Sequence, residues 1–234
     1  MEQIREEFIN GKSFLIDKEF KWTSFDVINK IRLILNKRLG IKKIKVGHTG
    51  TLDPLATGLM IICTGKATKN IENYLNLDKE YIFTMKLGET TASFDLETEI
   101  NTCHDPGYVT LEMIKEAIKK YQGEFLQIPP VFSAKYINGK RAYEYARKGK
   151  NINLDPVQVN ISDMQIVNFN NPLLTIRVTC SKGTYIRSLA RDIGNDLKCG
   201  AHITMLRRTS IGSYNIANAI TLDEFEKKLI KSET

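Results

Sequence analysis

The 234-residue chain has no long hydrophobic run. Leu59 to Cys63 is among its densest apolar stretches, far short of the ~18 residues a membrane-spanning helix needs. Met1 to Lys12 carries three Glu and no apolar segment of the kind a secretory signal contains. There are only four cysteines, Cys63, Cys103, Cys180 and Cys199, standing far apart with no C-x-x-C and no nearby His pair. That spacing argues against a zinc site and against a disulfide framework. Cys63 and Cys180 lie in apolar, strand-like runs and read as buried free thiols. Internal repeats, low-complexity tracts and Pro/Gly/Ser-rich linkers are all missing, so a single domain is expected, over residues 12–230. With 42% hydrophobic and 26% charged residues the composition is that of an ordinary globular protein. A soluble, cytoplasmic chain is the default expectation.

What is present is charge, unevenly placed. Lys and Arg total 34 against 27 Asp and Glu, a net charge of +7. Between Lys30 and Lys45 there are seven basic residues and no acidic one. Between Lys135 and Lys150 there are six, against Glu144 alone. From Ile61 to Lys120 the balance reverses to seven basic and ten acidic. Such polarisation suits a face that follows phosphates, with a solvated back; Lys-rich helix surfaces would give the same pattern.

Hydrophobic spacing supplies the elements. Ser13 to Asp17 reads as a short strand. Thr23 and Asp26 are spaced as a capping box, with Val27, Ile28, Ile31, Ile34 and Leu35 following at helical intervals and Gly40 as the stop. Val46 to Gly58 is punctuated by three Gly and one Pro and reads as loop. A buried strand, Leu59 to Cys63, follows, then a helix over Ala67 to Leu75. Tyr81 to Leu87 alternates as a strand. Thr110 caps a helix through Tyr121. Val157 to Ile161 and Leu174 to Cys180 alternate as strands, and a helix runs from about Tyr185 to Leu197. Without a regular βαβ rhythm, the expectation is an α+β fold on a mixed, largely antiparallel sheet flanked by helices.

Asp53, in the glycine-punctuated loop before Pro54, is the carboxylate placed for chemistry; the alternative is an Asx turn capping its own loop. Other chemistries find little support. Gly47, Gly50 and Gly58 lack dinucleotide spacing, and Gly65-Lys66 lacks the rest of a P-loop. His48 has only His104 and His202 as companions, so a metal role is not indicated. No second placed acid suggests a glycosidase, and no nucleophile elbow is present.

The thirteen residues Gly47-His-Thr-Gly-Thr-Leu-Asp-Pro-Leu-Ala-Thr-Gly-Leu59 resemble the signature of the TruB-type tRNA pseudouridine synthases. Further stretches resemble the same family in the same order: Asp78 to Tyr81, Gln127 to Ala134, Gly139 to Arg147, Cys180 to Arg187 and Cys199 to Arg208. The resemblance implies the pseudouridine synthase catalytic fold and isomerisation of uridine at position 55 in the T arm of tRNA. It assigns Asp53 as the nucleophile, attacking base or ribose, and Tyr81 to stacking on the uracil and removal of the C5 proton. Arg187 is expected to pair with Asp53. Tyr185 and Leu206 would line the pocket, and His48 would support displaced bases. Candidate RNA contacts are Lys18, Lys69, Lys140, Arg141, Arg207 and Arg208. No cofactor or metal is implied, the partner is tRNA, and the chain is expected to be a monomer with a secondary role in tRNA folding.

The sequence departs from the family pattern at four places. Asp17-Lys-Glu-Phe-Lys-Trp-Thr-Ser24 has Glu19 and Lys21 where Pro and Gly are usual, so a different local turn is expected. Thr91-Ala92-Ser93 stands for Thr-Asp-Thr, so any ion pair the missing Asp would make is expected to be lost or to be replaced, with Asp95 as the candidate. Lys135-Tyr136 stands where a hydrophobe and Lys are usual. The chain also stops short of a C-terminal PUA domain, so tRNA binding through the T arm alone, weak and salt-sensitive, is expected. Two alternatives are an RNA-binding module without turnover and a guide-RNA-dependent synthase of the dyskerin type. Intact Asp53, Tyr81 and Arg187 argue against the first; the missing PUA domain argues against the second.

Overall fold

The computed structural model describes residues 2–133, 135–137, 139–150 and 152–231. Ala134, the last residue of the Gln127 motif, lies outside them. The strands in chain order are β1 (Ser13–Lys18), β2 (Val46–His48), β3 (Thr57–Thr64), β4 (Lys79–Leu87), β5 (Glu89–Thr91), β6 (Ile100–Cys103), β7 (Gly123–Gln127), β8 (Tyr136–Ile137), β9 (Lys140–Arg141), β10 (Val157–Asn170), β11 (Leu173–Cys180), β12 (Ala201–Ile211) and β13 (Tyr214–Asn215). The α-helices are α1 (Glu2–Asn10), α2 (Ser24–Leu39), α3 (Ile71–Leu75), α4 (Leu111–Lys119), α5 (Ala142–Ala146), α6 (Ile186–Asp196) and α7 (Leu222–Lys231). The expected α+β class holds. The pairings β1–β3, β2–β3, β7–β10, β10–β11 and β12–β13 are antiparallel, and β3–β12 is parallel.

The chain divides into two compact units. The first comprises the chain up to Tyr81 together with the chain from Arg207 onward; the second is Ile82–Leu206. Strands β4 and β12 therefore each contribute residues to both.

In the first unit the sheet order is β1-β3-β12. Helix α2 forms as its sequence dictates. Thr23 and Asp26 make the reciprocal capping box, and Gly40 closes the helix in the left-handed region at φ 64°. Its Val27, Ile28, Ile31, Ile34 and Leu35 are buried. Near-complete burial of five branched side chains is worth roughly 1.5–3 kcal/mol each in transfer terms, which is why this 16-residue helix is fixed. Strand β3 is buried along nearly its whole length. Phe14 of β1 stacks on Phe225 of α7 at 4.9 Å, with Phe8 of α1 edge-on to both. Asp17 N–H donates to the Ile220 carbonyl at 3.0 Å, tying the chain's C-terminal part to β1.

Two expectations are corrected here. The Val46–Gly58 stretch is not loop throughout: Val46, Gly47 and His48 pair with Thr64, Cys63 and Ile62, and Thr57 already begins β3. A three-residue strand is too short to show alternation, so only its partner's register defines it. Residues 67–75 are not one helix but a 3₁₀ turn (Gly65–Asn70) followed by α3.

In the second unit the order is β12-β4-β11-β10-β7. Its core includes Phe83, Met85 and Leu87 of β4, Ile176, Val178 and Cys180 of β11, and Leu189, Ala190 and Ile193 of α6. Thr110 caps α4 by accepting from Met113 N–H, as expected. Strand β10 runs nine residues beyond the expected Ile161 end, to Asn170, crossing two register shifts against β11. These irregularities, and the polar Asn168 and Asn170, break the alternation that would have revealed its length. All four cysteines are free, Cys63, Cys180 and Cys199 buried and Cys103 exposed. Among the described residues no helix is long and apolar enough to cross a membrane.

Candidate active site

Strand register builds the site in the first unit. Gly58, at the start of β3, pairs with Lys18 of β1 on one side and Arg208 of β12 on the other. A Cβ at Gly58 would sit 2.2 Å from the Arg208 carbonyl oxygen, and its φ of +112° also excludes ordinary side chains. Glycine is thus required where β3 and β12 come closest.

Lys18 and Arg208 are almost wholly buried, at 0% and 1% exposure. Both differ from the expected role in RNA contact, because both cations turn inward. The Lys18 ammonium donates to the carbonyls of Trp22 at 2.6 Å, Glu19 at 3.1 Å and Pro54 at 3.3 Å. The Arg208 guanidinium donates from Nε to Leu59 O at 2.7 Å and from Nη2 to Gly50 O at 3.1 Å. One guanidinium therefore clamps both ends of the stretch that carries Asp53. Buried cations need such partners; unpaired they cost several kcal/mol.

The stretch between the clamps is fixed at every turn. The Ser24 hydroxyl, at the start of α2, donates to Leu52 O at 3.1 Å and accepts from Leu52 N–H at 2.9 Å. Lys21 N–H donates to Pro54 O at 2.9 Å, and Ala56 N–H closes a turn onto Asp53 O at 3.1 Å. Thr49 N–H donates to Ile61 O at 3.1 Å. Asp53 itself is half-buried between buried Leu52 and Ala56. Lys18 feels its carboxylate: burial pushes the ammonium down to about 8, Asp53 pulls it back up, and Arg208 adds to the fall. His48 is also pushed down, by burial first and then by Arg208, with the Gly50 backbone opposing. Its Nδ1 is buried without a hydrogen-bond partner. The structure thus gathers Asp53, Lys18, His48 and Arg208.

The turn expected to be altered at Glu19 and Lys21 is a left-handed one at Lys21. Lys21 adopts a left-handed backbone, φ 69°, although it is not glycine. Arg207 points elsewhere, donating to Asp17 Oδ2 at 2.7 Å in a half-exposed ion pair. Lys69 stands exposed on the 3₁₀ turn. Tyr81 is the third residue of β4, which begins at Lys79 rather than at Tyr81 as expected. Tyr81 is half-buried, whereas Phe83, Met85 and Leu87 along the same strand are fully buried. On that face Tyr81 is the one half-buried position, Lys79 at the strand start being buried as well.

In the second unit Arg187, in the first turn of α6, is 4% exposed. Its Nη1 donates to Ser93 O at 2.9 Å and its Nη2 to Phe132 O at 2.8 Å. Its Nε lies 3.5 Å from Asp95 Oδ2. Asp95, the candidate replacement for the departure at Ala92, thus makes an ion pair, and its partner is Arg187. Tyr185 stands at the N-cap position of α6 without a side-chain capping bond, and the Gln127 side chain grips its backbone, accepting from Tyr185 N–H at 2.8 Å and donating to Tyr185 O at 3.2 Å. Leu206 is 8% exposed on β12. Lys140 and Arg141 lie on the β8–β9 hairpin, where the Arg141 guanidinium stacks 3.9 Å from the Tyr136 ring centroid.

Sequence reasoning missed Ser24 and Gln127 as positioning groups. The Thr-Ser start of α2 was legible only as a cap, and nothing marked Gln127 apart from its motif. Among the described residues no group of three or more His, Cys, Asp or Glu is gathered to hold a metal ion.

Comparison with known proteins shows the family. Residues 36–186 match the family model of the TruB family pseudouridylate synthase N-terminal domain, and residues 187–234 match that of the tRNA pseudouridylate synthase B C-terminal domain. The chain is 51% identical over 226 residues to a tRNA pseudouridine synthase B from Phocaeicola vulgatus, covering 97% of this chain and 96% of that one. It is 49% identical over 231 residues to the protein of the same name from Parabacteroides distasonis, covering 97% and 98%. Among solved structures it resembles a chain of a Cbf5–Nop10–Gar1 complex with a TM-score of 0.71 and 27% identity, covering 96% of this chain and 56% of that one. The chain is a member of the TruB family of pseudouridylate synthases, and an enzyme by that membership.

Proposed function

We propose that the protein isomerises uridine to pseudouridine at position 55 in the T arm of tRNA, with Asp53 as nucleophile. The observation that carries this reading is the fixation of the Asp53 stretch by Lys18, Ser24 and Arg208. A carboxylate on so firmly held a backbone is positioned before substrate arrives, which lowers the entropic part of the barrier.

The target base must leave its stack, at a cost of a few kcal/mol. Stacking on the half-exposed Tyr81 ring offsets this by roughly 1–3 kcal/mol. Asp53 then attacks uracil or ribose, the glycosidic C–N bond breaks, the uracil turns, a C–C bond forms between C1′ and C5, and the bond to Asp53 breaks to return the free carboxylate. The C5 proton is lost, with Tyr81 taking part, and N1 regains one. Atoms and electrons balance within the nucleoside, so the step draws on no electron carrier or activated group. Arg187, which pairs with Asp95 within its own unit, is assigned to the catalytic set with Asp53 and Tyr81, and Tyr185, Leu206 and His48 to the flipped and displaced bases. The partner is tRNA, bound by a monomeric, cytoplasmic chain acting through one synthase domain over residues 12–230. Of the basic candidates, Lys69, Lys140 and Arg141 remain assigned to RNA, whereas Lys18 and Arg208 act on the Asp53 loop.

The test is tritium release from a tRNA transcript labelled at uracil C5, with wild type and Asp53→Asn side by side and no guide RNA added. The expected result is release by wild type alone, at about one equivalent per tRNA, as one flipped base gives. No release by either protein, with tRNA still bound, would leave an RNA-binding module and a structural Asp53.

A further inference from the structure

The basic block Lys30–Lys45 has two halves with different fates. On α2, Arg38 donates to Glu226 Oε1 of α7 at 2.8 Å, and Lys30 lies 3.9 Å from Glu226 Oε2. Those cations are compensated within the fold. Gly40 then reverses the chain, its N–H returning to Asn36 O and that of Ile41 to Leu35 O. Ile41 is drawn into the core, and Lys42, Lys43 and Lys45 are left exposed.

These residues line a cavity of about 430 Å³ together with Arg32 and Ile44. Its charged lining is four cations and no acid. The nearest acidic residues in sequence are Asp26 and Asp53. Arg32 is held in place on the wall, donating to Asn29 Oδ1 at 3.2 Å and to Val46 O at 3.1 Å. Val46 opens β2, the strand that carries His48 into the Asp53 stretch. The Lys45 carbonyl accepts from Gly65 N–H at 2.9 Å, so the backbone of the lysine segment is anchored too.

We infer that this cavity is a docking site for backbone phosphates of the RNA substrate, separate from the residues that handle the reacting base. The inference rests on the proposed RNA-modifying function. The lining contains cations and two isoleucines but no aromatic platform, amide or carboxylate to read a base edge. It selects charge without sequence, the signature of a contact that sets register on the nucleic acid. Its tie through Arg32 to Val46 gives it a fixed relation to the strand leading into Asp53.

The test compares wild type, Lys42→Ala/Lys43→Ala and the charge-matched control Lys119→Ala/Lys120→Ala. The control lysines lie at the end of α4, where they pair with Glu116 and Asp196. Filter binding to an unmodified tRNA transcript is measured across salt concentrations. Each phosphate that the protein ceases to neutralise makes the slope of log affinity against log salt shallower by roughly 0.7–0.9. The pocket variant should therefore have a slope shallower by roughly 1.4–1.8 and bind about tenfold more weakly near physiological salt. Its kcat at saturating tRNA should be unchanged, and the control should match wild type. A pocket variant indistinguishable from wild type, or from the control, overturns the assignment. Because binding is read without turnover, failure here alongside normal tritium release removes only the pocket. Absence of release alongside a normal pocket result removes only the catalytic reading.

Discussion

The Lys18 ammonium donates to the carbonyl of Pro54, the residue following Asp53, at 3.3 Å. The same nitrogen also holds Glu19 and Trp22 carbonyls, so one buried cation joins the end of β1, the turn into α2 and the candidate nucleophile's loop. Its position beside a carboxylate gives it electrostatic as well as structural weight.

Burial brings the Lys18 pKa from 10.5 to about 8, against the pull of Asp53. The folded value lies below the unfolded one, so between about 8 and 10.5 the unfolded chain binds the extra proton. The cost of burying the ammonium is fully present below pH 8 and is relieved as pH rises through that window. Lys18→Met removes this dependence. Wild-type stability relative to the Met variant should therefore rise by roughly 1–3 kcal/mol from neutral pH to about 10.5. Denaturant midpoints at both ends of the window read it. A constant difference would mean that Lys18 titrates normally.

Arg187 offers a second test. It and Asp95 are both nearly buried, with 5% and 7% of their side chains exposed. Asp95→Asn keeps an oxygen to accept from Glu97 N–H, as Oδ1 does at 2.9 Å, but removes the charge facing Arg187. Removing one member of a buried pair costs about 3–5 kcal/mol, and the retained Ser93 and Phe132 carbonyls should reduce that to about 2–3. Chemical denaturation measures the loss. An Asp95→Asn protein as stable as wild type would show that Arg187 does not need the Asp95 charge to stay buried.

These sites show what the sequence could and could not reveal. Helix α2 was legible end to end because its capping box, apolar spacing and Gly40 are local signals. The loop's chemistry was legible at Asp53 through its motif. The inward turn of Lys18 and Arg208 was not, since Lys and Arg are almost never fully buried and composition reads them as surface. Only the order β1-β3-β12, a non-local fact, sets them on either side of Gly58. Helix α1 was missed for a related reason: Phe8 is its one buried residue, so it has no apolar stripe to detect.

Lys21 carries the last prediction. Its φ of 69° places a residue with a Cβ in the left-handed region, which costs roughly 1–2 kcal/mol. The conformation is held because Lys21 N–H reaches Pro54 O at 2.9 Å, next to the Lys18 contact on the same carbonyl. Lys21→Gly relieves the strain but frees the unfolded chain, which returns about 0.4–1 kcal/mol. The net expectation is a gain of roughly 0.5–1 kcal/mol, seen as a higher denaturant midpoint at unchanged slope. Lys21→Ala retains the Cβ and should bring no such gain, so the pair separates backbone strain from loss of the lysine's charge. A stabilised Ala variant would instead place the cost of this position in the side chain.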